Sequence, residues 1–315
     1  MPEPIASFVG VLQAWLFESV VLPALAWAGA LRYTEDAFNG TEEFVLGVLE
    51  IALLVAVLLP LERLMPYERQ PAGARAVRVD VVYTLLHRLG IFPLFFFFAF
   101  RPLFDGAQAW LRLHDVPAFG LETLVPWLAD APLAAFLAYL VVLDFAQYWV
   151  HRAQHHAGWW WALHSLHHSQ RQMTFWTDNR NHLLDSVITD AIFAAIALAI
   201  GVPPAQFALL VVVSRMVESL SHANVRLSFG ALGARLLVSP RFHRLHHAIA
   251  ASPHGDYRGA NYAVLLPVWD VLFGTADFRR EPGPTGVDDQ LAGRDYGEGF
   301  WAQQWLGLKR MAGRA

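Results

Sequence analysis

Cysteine is absent from all 315 residues, which removes disulfides, thiolate metal ligands, a cysteine nucleophile and cysteine-held iron–sulfur clusters. Charge is scarce: Asp, Glu, Lys and Arg make up 16% of the chain, against about 25% in ordinary soluble domains. With a net charge of -4 there is no basic footprint for nucleic acid. A Gly-rich strand-to-helix fingerprint is also missing, so no flavin or nicotinamide site is readable. Internal repeats are lacking apart from one duplicated histidine pattern, and the longest low-complexity stretch is Phe95 to Phe98.

What the chain does hold is apolar. Hydrophobic residues make up 56%, aromatic residues 13%, and the mean hydropathy is +0.36. Six runs, at 5–31, 44–64, 79–100, 132–150, 183–202 and 204–221, approach the roughly 20 residues that cross a bilayer core as a helix. The first lacks a basic leader and a small-residue cleavage site, so it is expected to be a retained helix. The sequence therefore predicts an all-α integral membrane protein with about four to six transmembrane or membrane-embedded helices. With a cytoplasmic N-terminus, segments 62–78, 151–182 and 222–315 lie inside and hold 18 of the 23 Lys and Arg, as the positive-inside rule requires. Pro203-Pro204 cannot sit within a helix, and it marks the tip of a hairpin whose arms return His182 and His222 to one side.

Eight histidines fall into three short clusters. His151 and His155 form HxxxH; His164, His167 and His168 form HxxHH; His243, His246 and His247 repeat that pattern roughly 80 residues later. Residues three or four apart share a helix face, so each cluster aims its imidazoles at a common point. Eight imidazoles exceed the four that close a tetrahedral zinc site, and two metals are the natural count. The topology puts every cluster at the cytoplasmic ends of helices or just beyond, in a helical cap. The donor set suits O2 activation by iron and equally a two-metal hydrolytic site.

The stretches Asp144 to Ser169 and Ser239 to Thr275, with Glu62-Arg63-Leu64-Met65-Pro66 upstream, resemble the histidine boxes of the fatty acid hydroxylase and sterol desaturase superfamily of membrane di-iron oxygenases. That resemblance implies two Fe ions, with Zn as a substitute on isolation, and O2-dependent hydroxylation or desaturation of a lipid C–H bond, the lipid being sterol-like, isoprenoid, acyl or ether. The eight clustered histidines would be ligands. His222 matches a further family histidine, and His182 resembles one that some members carry, although Leu183 replaces the proline that often follows it.

Asp144 lies seven residues before His151 on the same helix face and is expected to accept the distal N–H of a ligand histidine. Glu218, four before His222, is a candidate acceptor or direct ligand, and Asn261 with Tyr262 is expected to position the last box or line the pocket. His87, His114, His156 and His254 lack partners at ligand spacing and are read as ordinary residues; Trp159 to Trp161 are read as an interface anchor, and Phe95 to Phe98 as lipid-facing packing. The chain divides into N-terminal transmembrane helices (1–131), a catalytic region (132–281) and a polar surface tail (282–315) with a short helix near 301–309. Oxygenase chemistry needs electrons this chain cannot supply, which implies a reductase, ferredoxin, cytochrome or pterin as partner. The expected location is a bacterial inner membrane, with the site on the cytoplasmic face and lipid entering from the bilayer. Two other readings are a non-redox membrane lipid hydrolase or isomerase, which would not consume oxygen, and a metal store or carrier, which would place ligands near the bilayer midplane and not at one face.

Overall fold

The computed structural model describes residues 3–69, 75–115, 120–249, 259–278 and 281–314. The described residues form α-helices, short 3-10 turns and loops, with only two isolated β-bridges. In chain order the helices are α1 (Glu3–Leu16), α2 (Leu22–Trp27), α3 (Thr34–Leu64), α4 (Arg75–Arg88), α5 (Ile91–Leu113), α6 (Leu121–Leu124), α7 (Pro132–His156), α8 (Gly158–His168), α9 (Leu183–Ala199), α10 (Pro204–His222), α11 (Gly230–Leu236), α12 (Pro240–His246), α13 (Val268–Leu272) and α14 (Phe300–Met311). A π-helical stretch, Phe17–Val21, joins α1 to α2 without a break.

Among the described residues three helices are long and apolar enough to cross a membrane: Ser7–Trp27, Leu31–Leu64 and Pro132–His156. The expected run at 79–100 is divided, because Gly90 adopts φ of 80°, a left-handed conformation that costs other residues free energy, and so ends α4 and starts α5. The two runs around Pro203-Pro204 form the expected hairpin. Gly201 turns the chain at φ of 74°, and Pro203 stands outside the first turn of α10.

The spanning helix α7 is inverted relative to a soluble helix. Leu133, Leu137, Val141, Phe145 and Trp149 recur every fourth residue and are exposed, whereas Asp144, Tyr148, His151 and His155 form a buried stripe on the inner side. Lipid tails are as apolar as leucine, so exposing the first row costs nothing in a bilayer; packing and polar contacts inside the bundle hold it together. The deepest of these contacts is the Arg88 guanidinium, which is buried and donates to Glu50 (2.6 Å), Asp178 (2.8 Å) and Ser219 (2.7 Å). It ties α3, α4 and α10 to the 3-10 turn Phe175–Asn179.

The C-terminal segment is not the surface tail expected from its polarity. Thr285, Val287, Tyr296, Gln303 and Gln304 are buried, and α14 packs against α8 and α4. Its inward face is polar: Gln303 and Gln304 bond the Tyr83 hydroxyl at 3.0 and 2.9 Å. Gly307 is the close-approach point, where a Cβ would stand 2.4 Å from His182 Cδ2.

Candidate metal centre

Four helix ends meet at one end of the bundle. The C-terminus of α7 brings His151 and His155; α8, which begins after the extended residue Ala157, brings His164, His167 and His168; α10 ends on His222; α12 and its cap bring His243, His246 and His247. All nine rings are buried.

They sort into two groups, each able to share a metal ion. Ring nitrogens of His151, His155, His164 and His168 lie within 4.8 Å of one another, as do those of His167, His222, His243 and His247; His246 joins His168 and His247 at the boundary. In the second group Nε2 separations are 3.1 Å for His167–His222, 3.0 Å for His222–His243 and 3.1 Å for His243–His247. The His222 Nδ1–H donates to the Glu218 carbonyl at 2.7 Å, so its Nε2 offers a lone pair to two neighbouring imidazoles at once. A single cation held between them would meet all of these lone pairs.

Rings of the first group, and His246 beside it, are aimed from behind. His151 Nδ1 donates to the Tyr262 carbonyl (2.7 Å), His246 Nδ1 to the Ala260 carbonyl (2.7 Å) and His164 Nδ1 to Asp185 Oδ2 (3.0 Å). Each bond fixes the tautomer that leaves Nε2 free for a metal. Nε2 of His155, His164, His168 and His246 is buried without a protein partner, which fits a cation and costs free energy otherwise. Burial, and then the neighbouring imidazoles, push His243 and His247 well below the usual histidine range; burial takes His246 to about 3. The cap histidines are therefore neutral donors at physiological pH.

Asp185 is the residue that sequence reasoning missed. It accepts from Trp160 Nε1 (2.6 Å) and Gln154 Nε2 (2.8 Å) as well as from His164. The available signal was a carboxylate in the first turn of the mostly apolar α9, a helix with one other acidic residue, Asp190. Asp144 does not take that role: its oxygens accept from Leu265 N (3.0 Å), Leu266 N (3.1 Å) and Trp269 Nε1 (2.7 Å). The shared face was read correctly, but two helical turns cover about 10 Å of axis, beyond the reach of a hydrogen bond to His151. Asp144 instead pins the segment whose Tyr262 carbonyl holds His151.

Glu218 orients His222 through its backbone carbonyl, while its carboxylate accepts from Gln147 Nε2 at 2.8 Å and touches no histidine. Asn261, at φ of 61°, donates to the Phe242 and Asp277 carbonyls (both 3.0 Å) and accepts from Asp277 N (2.7 Å). It clamps the loop after α12 and makes no contact with a metal-facing nitrogen.

His182 lies outside both groups. Its Nδ1 accepts from Leu184 N (3.1 Å), capping α9, and its Nε2 donates to the Gln304 carbonyl (2.8 Å), so neither nitrogen is free to bind metal. The hairpin brought it to the correct end of the bundle, but capping and docking of α14 occupy it. His87, His114 and His156 also stand apart from the clusters, and His254 lies outside the described residues. Of the three tryptophans expected at the interface only Trp159 is exposed; Trp160 holds Asp185, and Trp161 packs on His155 and His168 with ring centroids 4.9 and 5.4 Å away. Phe95 is exposed, as expected for lipid-facing packing. Trp161, His155, His168 and His246 line a cavity of about 450 Å³, together with Gly286 to Asp289.

Comparison with known proteins agrees with this arrangement. The sequence profile of the fatty acid hydroxylase family matches residues 136–275, the segment that supplies all nine clustered histidines. Ornithine lipid hydroxylase OlsE of Rhizobium tropici is 28% identical over 288 residues, covering 90% of this chain and 82% of that protein. Human alkylglycerol monooxygenase is 33% identical over 160 residues, 50% of this chain and 33% of its own length. The fatty acid hydroxylase vlmA of a Lecanicillium species is 27% identical over 172 residues, 49% of this chain and 45% of that protein. The chain thus spans most of the bacterial relative and less than half of the other two. No solved structure matches it. Residues 136–275, which carry both histidine groups, are thus what this chain shares with the fatty acid hydroxylase family.

Proposed function

We propose that this integral membrane protein is an O2-dependent non-haem di-iron oxidoreductase that hydroxylates or desaturates a C–H bond of a membrane lipid. The observation that carries the reading is the convergence of nine buried imidazoles into two groups, with no carboxylate oxygen among them. Two irons held there supply O2 activation for oxygen insertion or hydrogen removal. His151, His155, His164 and His168 would hold one and His167, His222, His243 and His247 the other, with His246 beside the boundary. The imidazole donors are neutral, so they would leave the positive charge of ions held there uncompensated. The backbone carbonyls of Tyr262, Ala260 and Glu218, with the Asp185 carboxylate, keep the donor nitrogens of His151, His246, His222 and His164 pointing inward. The cavity beside His155, His168 and His246 gives reactants access to the first group, and Trp161 walls it from the side.

The chain holds no cysteine for a cluster, so the two electrons come from a separate donor such as a ferredoxin, cytochrome, reductase or pterin. The clustering of Lys and Arg on the segments beside the site supports a cytoplasmic orientation in a bacterial inner membrane. Because the ornithine lipid hydroxylase matches along most of both chains, polar bacterial membrane lipids are the first substrates to try. Expression in a host lacking the gene, followed by lipid mass spectrometry with isotopically labelled dioxygen, should reveal a lipid that gains one oxygen atom or loses two hydrogens. His167→Ala should abolish that product and lower the bound iron. Product formed without oxygen, or by the variant at the wild-type rate, would overturn the reading.

A further inference from the structure

On the side of α12 opposite its imidazoles lies a second cavity, of about 550 Å³, a size that suits a small group and not a flat protein surface. Arg226, Arg235 and Arg241 line it, with Tyr67, Phe229 and Phe278. The Arg235 guanidinium lies 5.0 Å over the Phe278 ring, and Arg241 donates to the Phe278 carbonyl (3.1 Å) and pairs with the exposed Glu281 (2.9 Å). The Asp277 carboxylate also belongs to the lining. Arg226 and Arg235 have no acidic partner among the described residues, so the cavity keeps an excess of positive charge.

Its position is fixed by the end of a membrane span. Arg226 N bonds the Met65 carbonyl (2.9 Å) and Val225 bridges Pro66, so the cavity hangs directly below the last turn of α3. Leu64 is 80% exposed there, and Leu232 and Leu236, one turn apart on α11, are 73% and 61% exposed. Guanidinium groups in a hollow, bordered by bare leucines at the end of a bilayer-crossing helix, match the two halves of one molecule.

We propose that this cavity binds an anionic glycerophospholipid of the surrounding membrane. Its phosphate takes charge-assisted bonds from Arg226 and Arg235, which present planar donor forks to phosphate oxygens, and its acyl chains lie along Leu232 and Leu236. Such a lipid seats the outer face of the helix whose inner face carries His243 and His246. The proposal does not depend on the reaction assigned to the metal centre.

The test uses the full chain, exchanged into neutral detergent and titrated with phosphatidylglycerol or phosphatidylcholine under native mass spectrometry. The wild type should retain one phosphatidylglycerol and no phosphatidylcholine. R226Q/R235Q should bind phosphatidylglycerol about fivefold more weakly for each charge removed, and R226K/R235K should recover most of the loss. Should the double variant misfold, R226Q alone alters an exposed side chain and reads the same effect at one step. Excess inorganic phosphate should leave the lipid in place. Equal retention by wild type and R226Q, equal retention of the two lipids, or full displacement by free phosphate would each overturn the proposal. So would a variant that keeps the lipid and loses only its rate of reduction by an acidic electron-donor protein, which would mark the patch as that protein's dock.

Discussion

Replacing Asp185 with Asn isolates the part played by a carboxylate that binds no metal. In the native protein one oxygen accepts from Trp160 and Gln154 and the other from His164 Nδ1. Asparagine has the same shape but only one acceptor. If its carbonyl stays with Trp160 and Gln154, its NH2 faces His164 Nδ1, which must then offer a lone pair and move its proton to Nε2, the atom aimed into the first histidine group. If the amide turns the other way, two buried N–H donors face an NH2, at about 1–3 kcal/mol for each group left unpaired. Either outcome weakens the first metal position by about 10–100-fold, or about 1.4–2.7 kcal/mol, the usual effect of losing an orienting partner. Metal analysis after dialysis against graded chelator should show one ion leaving Asp185→Asn early while the second stays at wild-type affinity. Asp144→Asn is the control. It replaces a carboxylate that accepts three N–H groups and reaches His151 only through the segment that bears the Tyr262 carbonyl, so it should lower the unfolding midpoint and weaken chelator resistance less than Asp185→Asn does. Equal metal retention by Asp185→Asn and wild type, or early loss from Asp144→Asn alone, would refute the reasoning.

Metal-stripped protein should lose stability on mild acidification. The folded state holds His246 near 3, and His243 and His247 also well below 6.5, so between about pH 6.5 and 3 the unfolded chain binds more protons and stability falls as pH is lowered. Thermal melts at pH 7.5 and 5.5 should show a lower midpoint at the acid value, an effect that loaded metal suppresses. Gly307→Ala should cost about 1–3 kcal/mol by driving a methyl into the His182 ring, and limited proteolysis should then cleave before α14, which the wild type protects.

The metal-facing histidines were legible because helix periodicity and a duplicated pattern constrain side-chain direction locally, within one turn. What holds them was not, because three of the four identified acceptors are backbone oxygens of Tyr262, Ala260 and Glu218, and every residue type carries the same carbonyl. The hairpin at Pro203-Pro204 was written in the local chemistry of proline. Which of its two end histidines enters the site was decided by Leu184 and Gln304, partners of His182 that helix spacing does not reveal. Polarity misled at the C-terminus: in a membrane protein a glutamine-bearing face such as that of α14 is drawn inward to meet Tyr83, while Trp301 and Trp305 remain outside.

The donor nitrogens come from four separate stretches of chain, α7, α8, α10 and α12. During synthesis the first group, carried on α7 and α8 alone, emerges whole, whereas the second needs His222, His243 and His247 and is not complete until α12 has been made and folded back against α10. Filling of the second metal position is therefore confined to the end of biogenesis, after the spanning helices are in the bilayer. A chain stalled before α12 would present the first group with only His167 and His222 of the second, so it could retain one ion but not two.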